Sequence, residues 1–243
     1  MYTHLYSLPT AFEVAGHDLE GPVPPVEAVL FDFANTLFRM VPVDTLLQRV
    51  WQAAGRDPAD LDVAAVARSV QAAAELPHVR EAQVGRDTSL ARHREASRVW
   101  FSEVPQLADV FDLVYDAIVD RESWFAYEDT APVLRELAAR GVPVGIVSDI
   151  VWDVRRDLEG IGVADTVQAY ALSYQLGYEK PDPRMFLKTC AELGADPRRT
   201  LMVGDNPVRD GGATACGLRT LLMPAEPRIG ARGLGAVLSL LTA

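Results

Sequence analysis

Four polar stations follow apolar runs along this chain, and their side chains are of the kinds that handle phosphate. Asp32 closes the apolar run 26–31, and Ser148 with Asp149 closes the run 142–147. Lys180 stands ahead of Pro181, Asp182 and Pro183, while Asp205 and Asp210 follow the run 200–203. A carboxylate such as Asp32 can act as a nucleophile toward phosphorus or carbon. The acidic pair Asp205 and Asp210 offers hard oxygen ligands suited to Mg²⁺, an ion that shares its coordination shell with substrate phosphate. Ser148 can donate a hydrogen bond to a phosphoryl oxygen, and Lys180 can offset the charge that builds when an anionic nucleophile meets an anionic substrate. Taken singly, each has a plainer reading: a turn or helix cap for Asp32, Ser148 and residues 204–207, a solvated loop lysine for Lys180. Their succession at strand ends is what joins them.

The secondary structure around these stations can be read from the pattern. Residues 26–31 suit a strand buried on both faces. From residue 129 onward helix and strand alternate: helix 130–140 closed by Gly141, strand 142–147, helix 152–159, strand 167–172, helix 183–193 closed by Gly194, strand 200–203, a helix running through Cys216, and strand 219–222. Such alternation predicts an α/β fold, a Rossmann-like doubly wound parallel sheet with right-handed crossovers. Ligands of such sheets sit beyond the carboxyl ends of the strands, where Asp32, Ser148 and Asp205 all fall. Residues 44 to about 125 read instead as helices. Asp44 caps one with an apolar stripe of Leu47, Val50, Trp51 and Ala54, residues 64–76 are alanine-rich, and 89–104 and 107–125 each show three-to-four spacing. The first 25 residues carry Pro9, Pro22, Pro24 and Pro25 and read as an extended arm, a candidate for self-association into a homodimer.

The chain has 243 residues, enough for one large domain or a core with an insertion. A formal charge of −11 argues against nucleic acid or an anionic membrane as a partner. Two of its 23 basic residues, Lys180 and Lys188, are lysines and the rest arginines, which makes each lysine informative. Cys190 and Cys216 lie in apolar helix-like runs, which suits small buried fillers rather than a disulfide framework. With no long apolar span and no basic-then-apolar leader, the expected location is cytoplasmic.

In their order these stations resemble the motifs of the haloacid dehalogenase (HAD) superfamily of hydrolases. Phe31-Asp32-Phe33-Ala34-Asn35-Thr36-Leu37 is similar to the first motif, Val147-Ser148-Asp149 to the second, Gly177-Tyr178-Glu179-Lys180-Pro181-Asp182-Pro183 to the third, and Gly204-Asp205-Asn206-Pro207-Val208-Arg209-Asp210 to the fourth. The resemblance spans about residues 26 to 223. It implies a HAD core over 26–40 and 126–243, with a helical cap of the subfamily I kind over 41–125. It also implies that Asp32 is the nucleophile and a Mg²⁺ ligand, with Ala34 giving its backbone carbonyl and Asp205 and Asp210 their carboxylates. Ser148 would bind the transferred group, Lys180 would orient and neutralise the nucleophile, and Thr36 would brace the loop. Asp149, Asn35 and Arg39 are the further substrate-binding candidates. The implied activity is a phosphatase for a small phosphorylated metabolite, through an aspartyl-phosphate.

Ala34 departs from the family pattern, in which a second aspartate serves as general acid and base. Alanine keeps the carbonyl and loses the proton shuttle, a device worth roughly 10² to 10⁴ in rate. The site then suits an easier leaving group, such as an acyl phosphate, or a proton donor found elsewhere; Asn35, His78 and His93 are candidates by type. The phosphonatase branch needs a cap lysine, and residues 38–127 contain none. A 2-haloacid dehalogenase-type hydrolase is an alternative, opposed by the acids of the fourth motif. A catalytically weak HAD-fold binding protein is another, opposed by the retention of Asp32, Lys180, Asp205 and Asp210 together. Arg80, Arg86, Arg92, Arg94 and Arg98 make the cap arginine-rich, and such side chains can clamp phosphate or simply face solvent. Trp51, Trp100 and Trp124 read as packing residues on helical stripes.

Overall fold

A computed structural model describes residues 24–224 and 230–241. The expected arm over residues 1–25 therefore lies outside the described residues, apart from Pro24 and Pro25. The strands in chain order are β1 (Ala28–Phe31), β2 (Phe38–Met40), β3 (Trp124–Ala126), β4 (Val144–Ser148), β5 (Ala169–Leu172), β6 (Thr200–Gly204) and β7 (Arg219–Leu222). Five of them form one sheet in the order β5-β4-β1-β6-β7, and every pairing within it is parallel.

Alternation of side chains across this sheet builds two apolar layers. Val29, Phe31, Ile146 and Val203 point to one face and join helices Thr130–Ala139, Arg155–Gly160 and Gly235–Leu240. Leu30, Val147 and Met202 point to the other and meet Met185, Phe186 and Cys190 of helix Pro183–Leu193. β1, β4 and β6 are buried along their whole lengths, as strands covered on both faces must be. The doubly wound α/β architecture expected from the sequence is the one observed.

Between β2 and β3 the chain forms helices that pack around a separate cluster including Leu47, Val50, Trp51, Phe101, Leu107 and Phe111. Three departures from the sequence reading stand out. Residues 107–125 are not one helix: Pro105–Ala108 and Phe111–Val119 are separate, and Trp124 to Ala126 pair antiparallel with Phe38 to Met40. Trp124 consequently sits on this ribbon, its ring 5.2 Å from that of Trp152 and 6.0 Å from that of Phe33, rather than on a helical stripe. The expected helix 152–159 begins only at Arg155, and the segment through Cys216 is a 3₁₀ turn over Gly211–Cys216. Two glycines at 211 and 212 lower helix propensity there. No helix among the described residues is long and apolar enough to cross a membrane.

Candidate active site

The register of the sheet brings the stations to one edge. Phe31 of β1 pairs with Ile146 of β4 and Val203 of β6, so Asp32, one residue on, lies level with Val147 and Gly204. The Asp32 N–H donates to the Val203 carbonyl at 2.9 Å, which extends the ladder by one bond and fixes the carboxylate at the strand end. Ser148 is the last residue of β4, and Asp205 follows β6 directly.

Lys180 reaches this edge on a loop between Gly177, whose φ of +76° closes a short helix, and helix Pro183–Leu193. Asp182 caps that helix by accepting from the Arg184 N–H, and Pro183 occupies its first turn. The Lys180–Pro181 peptide is cis. Close approach of two loops depends on glycine at two positions. A Cβ on Gly212 would stand 2.4 Å from Pro181 Cβ, and one on Gly204 would stand 2.2 Å from the Asp210 carboxyl carbon. The third station meets the fourth only because Gly212 lacks a side chain, and the fourth folds back on itself only because Gly204 does.

At the centre, Lys180 Nζ donates to Asp32 Oδ1 at 2.7 Å and to Asp210 Oδ1 at 2.6 Å. The three residues are all buried. Asp32, Asp205 and Asp210 each offer a carboxylate oxygen within 4.8 Å of the others. Three carboxylates against one ammonium leave an excess of negative charge in a desolvated place. Burial, with Asp210 and Asp205 nearby, outweighs Lys180 and pushes Asp32 up to about 7. Burial and the charge of Asp210 likewise push Asp205 up to about 6. Burial alone would lower Lys180, but Asp210, Asp32 and Asp149 prevail and hold its ammonium above the ordinary value. This hard oxygen set with unbalanced charge fits a divalent cation such as Mg²⁺.

The other predicted residues fall into place around this centre with different duties. Ser148 is fully buried and its hydroxyl has no hydrogen-bond partner, so it is free to donate to an incoming group. Asp149 uses both oxygens: Oδ1 accepts the Lys180 backbone N–H at 2.8 Å, and Oδ2 accepts Arg209 Nη1 at 2.7 Å. Asn35 holds the loop after the nucleophile at a positive φ of 58°, its N–H on the Phe38 carbonyl at 2.6 Å. The Thr36 hydroxyl, expected to brace that loop, is buried without a partner, and backbone bonds to the Phe33 carbonyl from residues 36, 37 and 38 do the bracing. Ala34 is half-buried, its methyl against the apolar layer that contains Phe33 and Leu37. Arg39 lies half-buried in β2, close enough to Tyr127 to influence its phenol.

Among the histidines, His78 is exposed and pairs with Glu103 at 2.9 Å, away from the Asp32 edge. His93 is buried in the helical insertion, bonded through Nδ1 to the Tyr115 hydroxyl at 3.0 Å. Arg80, Arg94 and Arg98 are spent on carboxylates of the insertion's own surface. Arg86 pairs with Asp87 at 3.2 Å. Cys190 is buried and Cys216 half-buried, and both are free thiols.

Sequence reasoning missed five contributors. Arg209 bridges Asp149 to Asp87 at 3.4 Å and to Glu179 at 3.7 Å, which joins the edge to the insertion. Asp87 is further tied through its own backbone: its carbonyl accepts Ser173 Oγ at 2.6 Å, and its N–H donates to Glu179 Oε2 at 3.3 Å. Arg232 donates from Nε to the Asn35 carbonyl at 2.6 Å, and Asp129 anchors the Arg232, Gly233 and Leu234 N–H groups at 2.7 to 2.8 Å. Arg209 and Glu179 stood inside the third and fourth motifs, a signal that was present. Asp87 stands in a short polar 3₁₀ turn, Arg86–Thr88, and Arg232 between glycines 230 and 233, and nothing local marks either.

Residues 26–217 match the family described as haloacid dehalogenase-like hydrolase. The chain belongs to this family. Phosphoglycolate phosphatase of Rhodospirillum rubrum is 31% identical over 201 residues, 81% of this chain and 79% of its own length. Ribulose-1,5-bisphosphate 5-phosphatase of Halopiger xanaduensis is 29% identical over 215 residues, 82% and 85% of the two chains. Phosphoserine phosphatase of Thermus thermophilus is 32% identical over 115 residues, and the match spans 44% of this chain and 46% of that relative. Among solved structures, a HAD phosphatase of Thermococcus onnurineus superposes with a TM-score of 0.57 at 19% identity, covering 88% of this chain and 97% of that one. A structure described as a dehalogenase gives a TM-score of 0.61 at 20% identity, covering 90% and 98%. These two neighbours share the HAD fold with this chain.

Proposed function

We propose that this HAD-family hydrolase is a Mg²⁺-dependent phosphatase of a small phosphorylated metabolite, with Asp32 as the nucleophile that carries the phosphoryl group. The observation that carries the reading is the buried Asp32–Lys180–Asp210 arrangement, at 2.7 and 2.6 Å, with Asp205 beside it. Asp32, Asp205 and Asp210, with the Ala34 carbonyl, would hold the Mg²⁺, which supplies neutralisation of phosphoryl charge. An oxygen of Asp32 forms a bond to phosphorus as the ester P–O bond breaks, and the leaving oxygen departs with the bonding pair. Water then attacks the phosphorus, and the Asp32 carboxylate leaves with inorganic phosphate released. Ser148 donates to a phosphoryl oxygen, and Lys180 keeps Asp32 oriented and its charge balanced. Asn35 and Arg39, on the segment that follows the nucleophile, and Asp149, at the second station, are the remaining candidates to meet substrate. No carboxyl group stands at position 34 to protonate the leaving oxygen, which favours substrates whose leaving group needs little help, such as acyl phosphates. The three clustered acids favour phosphate over a haloacid substrate. Two free thiols suit a reducing, cytoplasmic setting.

The test is hydrolysis of acetyl phosphate and p-nitrophenyl phosphate with and without Mg²⁺, in the native chain and in Asp32→Asn. Mg²⁺-dependent turnover lost by about 10⁴-fold or more in the variant is expected. Turnover that survives the substitution, or none on any activated phosphate, overturns the reading.

A further inference from the structure

Lys180 holds its ammonium between Asp32 at 2.7 Å and Asp210 at 2.6 Å, at the end of a flexible four-carbon stem. Its aim therefore depends on where its backbone stands. The Lys180 N–H donates to Asp149 Oδ1 at 2.8 Å, and the other oxygen of Asp149 accepts Arg209 Nη1 at 2.7 Å. Arg209 is followed in the chain by Asp210, the second carboxylate on the ammonium. The path closes on itself. It runs from the Lys180 N–H to Asp149, from Asp149 to Arg209, through one peptide to Asp210, and back to the Lys180 ammonium. One lysine is gripped at both ends by a single ring of contacts.

The ring is tied down on either side. Asn206 Oδ1 accepts the Arg209 N–H at 3.0 Å, and Asp210 Oδ2 accepts the Asn206 N–H at 2.9 Å, so the turn that carries Arg209 is bound to the same carboxylate. The Arg209 guanidinium also reaches two further acids: Asp87 of the insertion at 3.4 Å, and Glu179, the residue before Lys180, at 3.7 Å. The Asp149 side chain is 6% exposed and that of Arg209 20%, so solvent screens the pair little and removing one partner strands the other. The two oxygens of Asp149 face the Lys180 backbone and the Arg209 guanidinium, which is the work of a prop rather than of a substrate contact.

We propose that Asp149 and Arg209 are positioning residues that fix the backbone of Lys180 so that its ammonium meets Asp32. Asp87, reaching the same guanidinium, makes that aim depend on the insertion. The rate effect rests on the phosphatase reading; the backbone effect does not. The full chain is assayed with acetyl phosphate and Mg²⁺, and amide hydrogen exchange is followed separately in metal-free protein. Arg209→Met and Asp149→Ala are expected to lower kcat about 10²-fold with KM changed by under about threefold, since a misaimed group loses rate rather than binding. Arg209→Lys, a cation that can still meet Asp149, loses less, and Asp87→Asn, which leaves Asp149 and Glu179 on the guanidinium, loses least. In Arg209→Met the Lys180 amide exchanges roughly fivefold faster or more, the worth of one weakened hydrogen bond, while the amides of β1 keep their native protection. A general loosening of the fold would speed both. Arg209→Gln replaces the methionine variant if thermal melts show that it does not fold. A raised KM with kcat kept in Asp149→Ala marks a substrate contact and overturns the proposal, as does native protection of the Lys180 amide in a folded Arg209 variant. If no form turns over, the phosphatase reading falls, and amide exchange alone decides the positioning.

Discussion

Lys180 and Arg94 are both cations shared between two aspartates, yet they sit in different worlds. Lys180 lies between Asp32 at 2.7 Å and Asp210 at 2.6 Å with 3% of its side chain exposed. Arg94 lies between Asp112 at 2.8 Å and Asp116 at 3.7 Å with 39% exposed. The first arrangement is on loops held by a sheet whose central strands are buried throughout, and the second is on helices of the insertion. Desolvation makes the sheet-edge charges strongly dependent on one another, whereas solvent screens those of the insertion. A site that must aim one carboxylate belongs on the former. The insertion has room for adaptable surface.

The contrast can be tested by breaking each side of it. Lys180→Ala leaves two buried carboxylates without their cation. It should cost on the order of 3–5 kcal/mol of stability in urea unfolding without Mg²⁺, with part of the loss restored by Mg²⁺ because the ion replaces the missing charge.

Acidification should divide the two regions next. Burial and Arg86 push His93 down to about 4 from an ordinary 6.5. Above pH 6.5 its contribution is fully present. As pH falls toward 4 the unfolded chain takes up a proton that the folded insertion refuses, and stability drops by at most about 3 kcal/mol. His93→Gln should flatten that slope in melts across this window. In metal-free protein Asp32 and Asp205 act with the opposite sign. Their raised values make the fold more stable below pH 4, a gain lost as pH rises through about 6 and 7.

Ala34→Asp should sharpen the assignment of the edge. Restoring a proton donor two residues beyond Asp32 is expected to raise kcat on alkyl phosphates by about tenfold or more, with little change on acetyl phosphate, because only the poor leaving group needs the proton. The smallest effect belongs to the insertion's surface. Arg94→Ala should shift stability by under about 1 kcal/mol, and less in high salt.

Much of this edge was legible because each long strand ends on a polar residue, and alternation of strand and helix forces those ends together. Asp32, Ser148 and Asp205 needed no more than that. Lys180 was legible through its Pro-Asp-Pro context and the scarcity of lysine in the chain. The β2/β3 ribbon was hidden: three-residue strands are too short to show a period of two, and Ile118, Trp124 and Phe125 can extend a helical stripe by accident. Asp87 was hidden for another reason. Its partners Ser173, Glu179 and Arg209 are more than eighty positions away, and no local pattern records so distant a pairing.

That residue also ties the helices to the sheet edge. The chain enters and leaves the insertion side by side on the β2/β3 ribbon, like the two leaves of a hinge, while Asp87 is the latch, fastened at its amide, its carbonyl and its carboxylate. Any displacement of the helices away from the sheet edge would have to break all three of these fastenings.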